Sequence, residues 1–124
     1  MLLIRTACVV YWMLVSFLLL APEPLALLGI RRLPGPGGGR GAHFLLFTLL
    51  AILVLASRWP VGRKSLITGL VAFAVATEFL QGLVPHRSVE IFDLAENLLG
   101  LAAGACVWLM LRARFPRPSR QCEG

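Results

Sequence analysis

The sequence predicts an all-α integral membrane protein, a bundle of four transmembrane helices with both termini in the cytoplasm, on three observations. First, 58% of the 124 residues are hydrophobic and only 15% are charged, with a mean hydropathy of +0.82. A soluble domain of this length has too little interior to hide so much apolar surface, so lipid is the solvent that suits most of the chain. Second, the apolar residues fall into four runs that approach the roughly 20 helical residues, with about 17 tolerated, needed to cross a bilayer core. Third, the breaks between runs collect prolines, glycines and cations, which belong in loops rather than in spans.

The first run covers residues 6–22 and stops at Pro22-Glu23-Pro24, where two prolines and an acid oppose further helix. Read instead as a cleaved signal sequence, with Arg5 as its charged start and small residues near Ala21, it would leave three spans and an exterior N-terminus. Its length and the lack of a clean small-x-small site favour its retention as a span. The stretch from Arg31 to Arg40 has the proline and glycine content of an irregular loop. The second run is 41–57. The third, 65–84, carries Glu78 and Gln81, and the fourth, 91–111, carries Asp93, Glu96 and Asn97. Residues 58–64 and 85–90 are short polar links. Residues 1–112 therefore form one transmembrane domain, and 113–124, mixing arginine with proline, form a basic, disordered cytoplasmic tail.

Cations set the expected orientation. Arg5, Arg58, Arg63, Lys64, Arg112, Arg114, Arg117 and Arg120 fall on one side, against Arg31, Arg32, Arg40 and Arg87 on the other. The richer side is cytoplasmic by the positive-inside rule. The net charge of +6 is thereby explained without nucleic acid, which would need an exposed basic face on a soluble domain. The cysteines Cys8, Cys106 and Cys122 lack CxxC spacing and leave the redox compartment open. Cys8 and Cys106 read as small hydrophobes within helices.

The polar residues inside the spans gather toward the outer end. At about 1.5 Å per residue, Glu78 and Asn97 lie roughly 9 Å below the outer mouth, His43 and Asp93 roughly 3 Å below it, with Gln81 between. At about 100° per residue, Asp93, Asn97, Gly100 and Gly104 share an arc of roughly 60°. Gly100 and Gly104 are a small-residue pair of the kind that lets a neighbouring helix approach closely. Polar groups facing lipid would cost several kcal/mol, so the Glu78–Gln81 stripe and the Asp93–Asn97 stripe are expected to face each other inside the bundle.

His43, Glu78 and Asp93 are the candidate catalytic groups. The Asp93 carboxylate would fix the His43 imidazole while the other ring nitrogen works on substrate, and Glu78 is an intramembrane carboxylate of the kind that exchanges protons or binds cations. Gln81, Arg87 and Asn97 are the candidate binding groups, with Arg87 in the outer loop suited to a phosphate or one of the acids. The plainer readings are a Glu78 that pins helix three to helix four, Gln81 and Asn97 as helix-to-helix hydrogen-bonding groups, and Asp93 and Glu96 as charges in the first turn of helix four. His43 and His86 show no diagnostic metal spacing, so neither a metal nor a cofactor is expected. No GxxxxGK loop, HExxH helix or Gly-rich dinucleotide fingerprint occurs.

His43-Phe44, Glu78-Phe79-Leu80-Gln81 and Arg87-x5-Asp93-x3-Asn97-x2-Gly100 resemble the signature of VanZ-like membrane proteins over roughly residues 40 to 110. One departure stands out: the family often has an acidic-basic pair before its histidine, and Gly39-Arg40 keeps the cation and loses the acid. The family takes its name from a protein linked to teicoplanin resistance, and many relatives look like compact helical modules of the bacterial envelope. The resemblance therefore implies a multi-pass protein of the plasma membrane that binds or modulates a lipid or lipid-linked cell-wall precursor at the outer face, affecting glycopeptide susceptibility. The alternatives are a membrane-embedded acid-base enzyme acting on such a lipid, or a small proton-coupled carrier centred on Glu78. Four short helices would provide a transport path only as a homo-oligomer.

Overall fold

The computed structural model describes residues 2–21, 41–84 and 91–114. They form four helices, α1 (Leu2–Leu20), α2 (Ala42–Ala56), α3 (Arg63–Gln81) and α4 (Ile91–Arg114), with no strand among the described residues. α1, α3 and α4 are long and apolar enough to cross a membrane, whereas α2 is shorter. Its 15 residues rise only about 22 Å. The expected tail is described only as far as Arg114, the last residue of α4; 115–124 lie outside the described residues.

The helix ends differ from the expected spans for physical reasons. α1 starts at Leu2 rather than at residue 6 because Arg5 need not avoid the helix: its side chain reaches the α2–α3 turn, where Nε donates to the Ser57 carbonyl at 3.2 Å and a terminal nitrogen to the Arg58 carbonyl at 2.7 Å. α3 ends at Gln81 rather than at 84 because the chain tightens into i→i+3 bonds, Leu83 N–H to Leu80 O and Val84 N–H to Gln81 O, both 3.1 Å, just ahead of Pro85. α4 runs on to Arg114 with Arg112 and Arg114 in its last turn, where cations favour the helix dipole.

Buried residues on each helix recur at helical spacing: Phe47, Leu50, Ala51, Val54 and Leu55 on α2; Leu70, Ala74, Thr77, Glu78 and Gln81 on α3; Asn97, Gly100, Leu101 and Gly104 on α4. The core also holds Cys8, Val15 and Leu19 of α1, with Trp12 and Phe47 ring-packed on Phe73. Outward, Met13 is 69% exposed, Phe79 67% and Leu99 62%. Large apolar side chains on the outside, with polar ones within, make a bundle built for lipid.

α2 and α4 are the most extensively packed pair, and glycine is the reason. A Cβ at Gly100 would overlap the Phe44 carbonyl oxygen and lie 3.1 Å from the Phe47 Cβ; one at Gly104 would overlap the Thr48 carbonyl oxygen and lie 2.8 Å from the Ala51 Cβ. The backbone of α2 therefore rests directly on α4. α1 and α3 pack around this pair, with the Tyr11 hydroxyl donating to the Leu46 carbonyl at 3.0 Å and Gln81 Nε2 to the Leu19 carbonyl at 2.9 Å.

These contacts fix an antiparallel order with two unlike ends. The end of α1 near Leu19, the start of α2, the end of α3 and the start of α4 lie together. The start of α1 and the α2–α3 turn lie together at the other, as do the start of α3 and the end of α4, where Arg63 covers Trp108. Among the described residues, Arg5, Arg58, Arg63, Lys64, Arg112 and Arg114 all belong to this second, basic end, and the carboxylates Glu78, Asp93 and Glu96 to the first.

Gly100→Ala and Gly104→Ala are expected to lower bilayer or micelle stability by about 1–3 kcal/mol each through overpacking against the α2 backbone. Gly69, whose Cβ would meet nothing within 4 Å, supplies the contrast: Gly69→Ala is expected to stabilise by about 0.5–1 kcal/mol, read by the same unfolding titration.

Candidate functional site

Chemistry concentrates at the acidic end, where α2 begins against the first two turns of α4. Gly41 caps α2 with φ 86° and ψ −17°, a left-handed conformation that strains any residue with a Cβ. No side chain of its own caps that helix; instead the Gly41 N–H donates to Glu96 Oε2 at 2.9 Å. The carboxylate thus reaches across from α4 to the positive end of α2's dipole.

Two residues into the helix, His43 lies against the same face of α4. Its Nδ1 is 3.0 Å from Asn97 Oδ1, an oxygen that only accepts, so Nδ1 carries the hydrogen. Its Nε2 is 3.7 Å from Asp93 Oδ2, an ion pair when the ring is doubly protonated. Asn97 is 1% exposed, whereas the side chains of His43 and Asp93 are 15% and 30% exposed. The arrangement is graded: a buried amide grips one edge of the imidazole, and the other edge lies beside a carboxylate that faces outward.

This differs from the expected dyad in which Asp93 orients the ring and the remaining nitrogen works on substrate. Asn97 does the orienting, because it sits one turn deeper on α4, immediately above the Gly100 approach that brings α2 within reach. The edge that Asn97 leaves open is Nε2, 3.7 Å from Asp93 Oδ2.

α3 contributes separately. Glu78 and Gln81 are both buried, but the expected face-to-face arrangement of the α3 and α4 polar stripes does not occur at Gln81, whose amide turns to the Leu19 carbonyl of α1. α4's stripe is occupied by α2, and the last turn of α1 presents carbonyls beyond the reach of intrahelical donors. Thr77, also buried, donates to the Ala74 carbonyl at 2.9 Å. Arg87, like His86 and the Gly39-Arg40 stretch, lies outside the described residues. Among the described residues no three of His, Cys, Asp and Glu converge as metal ligands.

Glu96 is the member of this site that the sequence pattern passed over. It falls at the edge of the polar arc and reads as a helix-dipole charge; the signal for its role was a helix start at Gly41 with no Ser, Thr, Asp or Asn in the capping position.

With this geometry in place, comparison with known families is informative. The model of the VanZ/LLP1 family matches residues 6–112, a stretch that takes in most of α1, all of α2 and α3, and α4 as far as Arg112. No curated protein and no solved structure matches the chain.

Asn97→Leu removes the acceptor for His43 Nδ1 while keeping the branched side-chain shape, and is expected to destabilise by about 1 kcal/mol and to alter the His43 ring-nitrogen resonances. Glu96→Gln keeps an oxygen for the Gly41 N–H and should stay near wild type, whereas Glu96→Ala should lose about 1 kcal/mol, both measured by denaturant titration in micelles.

Proposed function

The chain belongs to the VanZ/LLP1 family, and from that premise we propose that it is a multi-pass membrane protein of the bacterial envelope whose acidic end faces outward and engages the headgroup of a lipid or lipid-linked cell-wall precursor. Charge supports the orientation: six described cations gather at one end, as expected of a cytoplasmic end, and His43, Asp93, Glu96 and Asn97 belong to the other.

The observation that carries this reading is the held imidazole. In a bundle whose other described faces are mostly apolar, Asn97 fixes His43 from below and leaves Nε2 beside the half-open Asp93 carboxylate, two preorganised acceptors at headgroup depth. Hydroxyl and amide groups of a sugar or peptide headgroup are their natural counterparts. The lipid phosphate falls to Arg87, four residues before α4 in the sequence, since the carboxylates of the pocket itself would repel it. Modulation of glycopeptide susceptibility would follow from occupying or presenting such a precursor.

A second reading is favoured by the same 3.7 Å pair: His43 and Asp93 as an acid-base couple acting on the bound lipid, with Asn97 as its positioning residue and Glu78 a buried acid on α3.

The test is binding of a polyprenyl-diphosphate-linked precursor to the protein in nanodiscs, alongside lipid profiling and teicoplanin sensitivity of cells carrying the same variants. His43→Ala, Asp93→Ala, Asn97→Leu and Arg87→Ala are each expected to weaken binding about tenfold and to shift sensitivity together. Unchanged binding in all four, at equal protein abundance, would rule the reading out; a new lipid product formed by wild type and lost in His43→Ala would select the enzymatic one.

A further inference from the structure

The basic end holds a second feature, unconnected with the polar pocket. Trp108 of α4 is covered by two guanidinium groups, Arg63 from the first turn of α3 at 5.5 Å and Arg112 from one turn further along α4 at 5.4 Å. Stacking on an indole uses the face of a guanidinium and leaves its N–H edge for an anion. No described carboxylate lies at this end of the bundle, so no described acid neutralises either arginine.

An apolar groove begins where this bracket ends. It runs between α3 and α4 with a volume of about 180 Å³, walled by Ile67 and Val71 on one side and Ala102 and Ala105 on the other, over a floor of Ala51 and Leu55 from α2. Ile67 is one turn beyond Arg63, and Ala105 is one turn before Trp108. On the α4 side the lining residues nearest the bracket, Ala102 and Ala105, are small, with Leu98 and Leu101 beyond them, and α2, seated on the glycines, packs more extensively on α4 than α3 does.

We propose that the groove and the bracket form one site for an anionic phospholipid, its headgroup phosphate held by Arg63 and Arg112 and an acyl chain lying between α3 and α4. Charge complementarity selects the headgroup, and the continuity of cationic mouth with apolar cleft selects a lipid over a free anion. The assignment holds whichever leaflet the basic end occupies. A lipid seated there bridges α3 to α4 along the seam between them.

The experiment compares thermal unfolding of the full chain in nanodiscs of phosphatidylcholine with and without phosphatidylglycerol. Wild type is expected to gain roughly 5 °C from phosphatidylglycerol. Arg63→Gln with Arg112→Gln should abolish the gain, as should Ala102→Phe, which plugs the groove without changing charge. Arg58→Gln with Arg114→Gln, removing equal charge from the same end outside the bracket, should keep it. The proposal is overturned by the absence of a gain in wild type, by its survival in either of the first two variants, or by its equal loss in the Arg58/Arg114 control. The wild-type comparison stands even where a variant fails to fold.

Discussion

Where Gly100 and Gly104 meet the carbonyls of Phe44 and Thr48, there is no room for a side chain, and most of the structure follows from that contact. In lipid there is no gain from hiding one apolar helix against another, so helices associate through close packing and polar contacts. Two glycines four residues apart let the short α2 lie directly on α4. That approach brings His43 to within 3.0 Å of Asn97 and the Gly41 N–H to within 2.9 Å of Glu96. The polar contacts at the top of the seam and the glycine contacts below it occupy one face of one helix, so the site is a consequence of the packing that holds the core.

The two ends of the bundle reinforce this division. At the acidic end, carboxylates and an imidazole are matched with helix-terminal and side-chain partners. At the basic end, arginines are matched with carbonyls and tryptophans: Arg5 holds the α2–α3 turn and lies 5.5 Å from the Trp59 ring, and Arg63 and Arg112 cover Trp108. Cations over aromatic rings at a helix end suit the membrane interface, where an apolar ring and a hydrated charge are both accommodated.

Much of the fold was legible because bilayer physics is visible in one dimension. Span length, the Pro22-Glu23-Pro24 triplet and the glycine-proline composition of 31–40 point to four helices in the sequence, and a period near 3.6 puts Asp93, Asn97, Gly100 and Gly104 on one side of α4. Periodicity shows which residues share a face without naming the helix that covers it. Hence the α4 stripe found α2 rather than α3, and Gln81 found α1. Contacts made by long side chains across helix ends, such as Arg5 to the Ser57 and Arg58 carbonyls or Glu96 to Gly41, have no periodic signature at all. Helix limits shifted by a few residues where cations near a terminus were tolerated within the helix instead of ending it.

The central claim is that the glycine approach of α2 to α4 holds His43 on Asn97. Asn97 is the chain's single asparagine, and His43 is one of two histidines, so selective labelling isolates the pair. The most direct measurement is a solid-state magnetic-resonance distance, in lipid bilayers, between the His43 ring nitrogen and the Asn97 side-chain carbonyl carbon. A close dipolar contact in the wild type that disappears in Gly100→Val is the expected result. Its absence from the wild type, or its persistence in folded Gly100→Val, would contradict the claim.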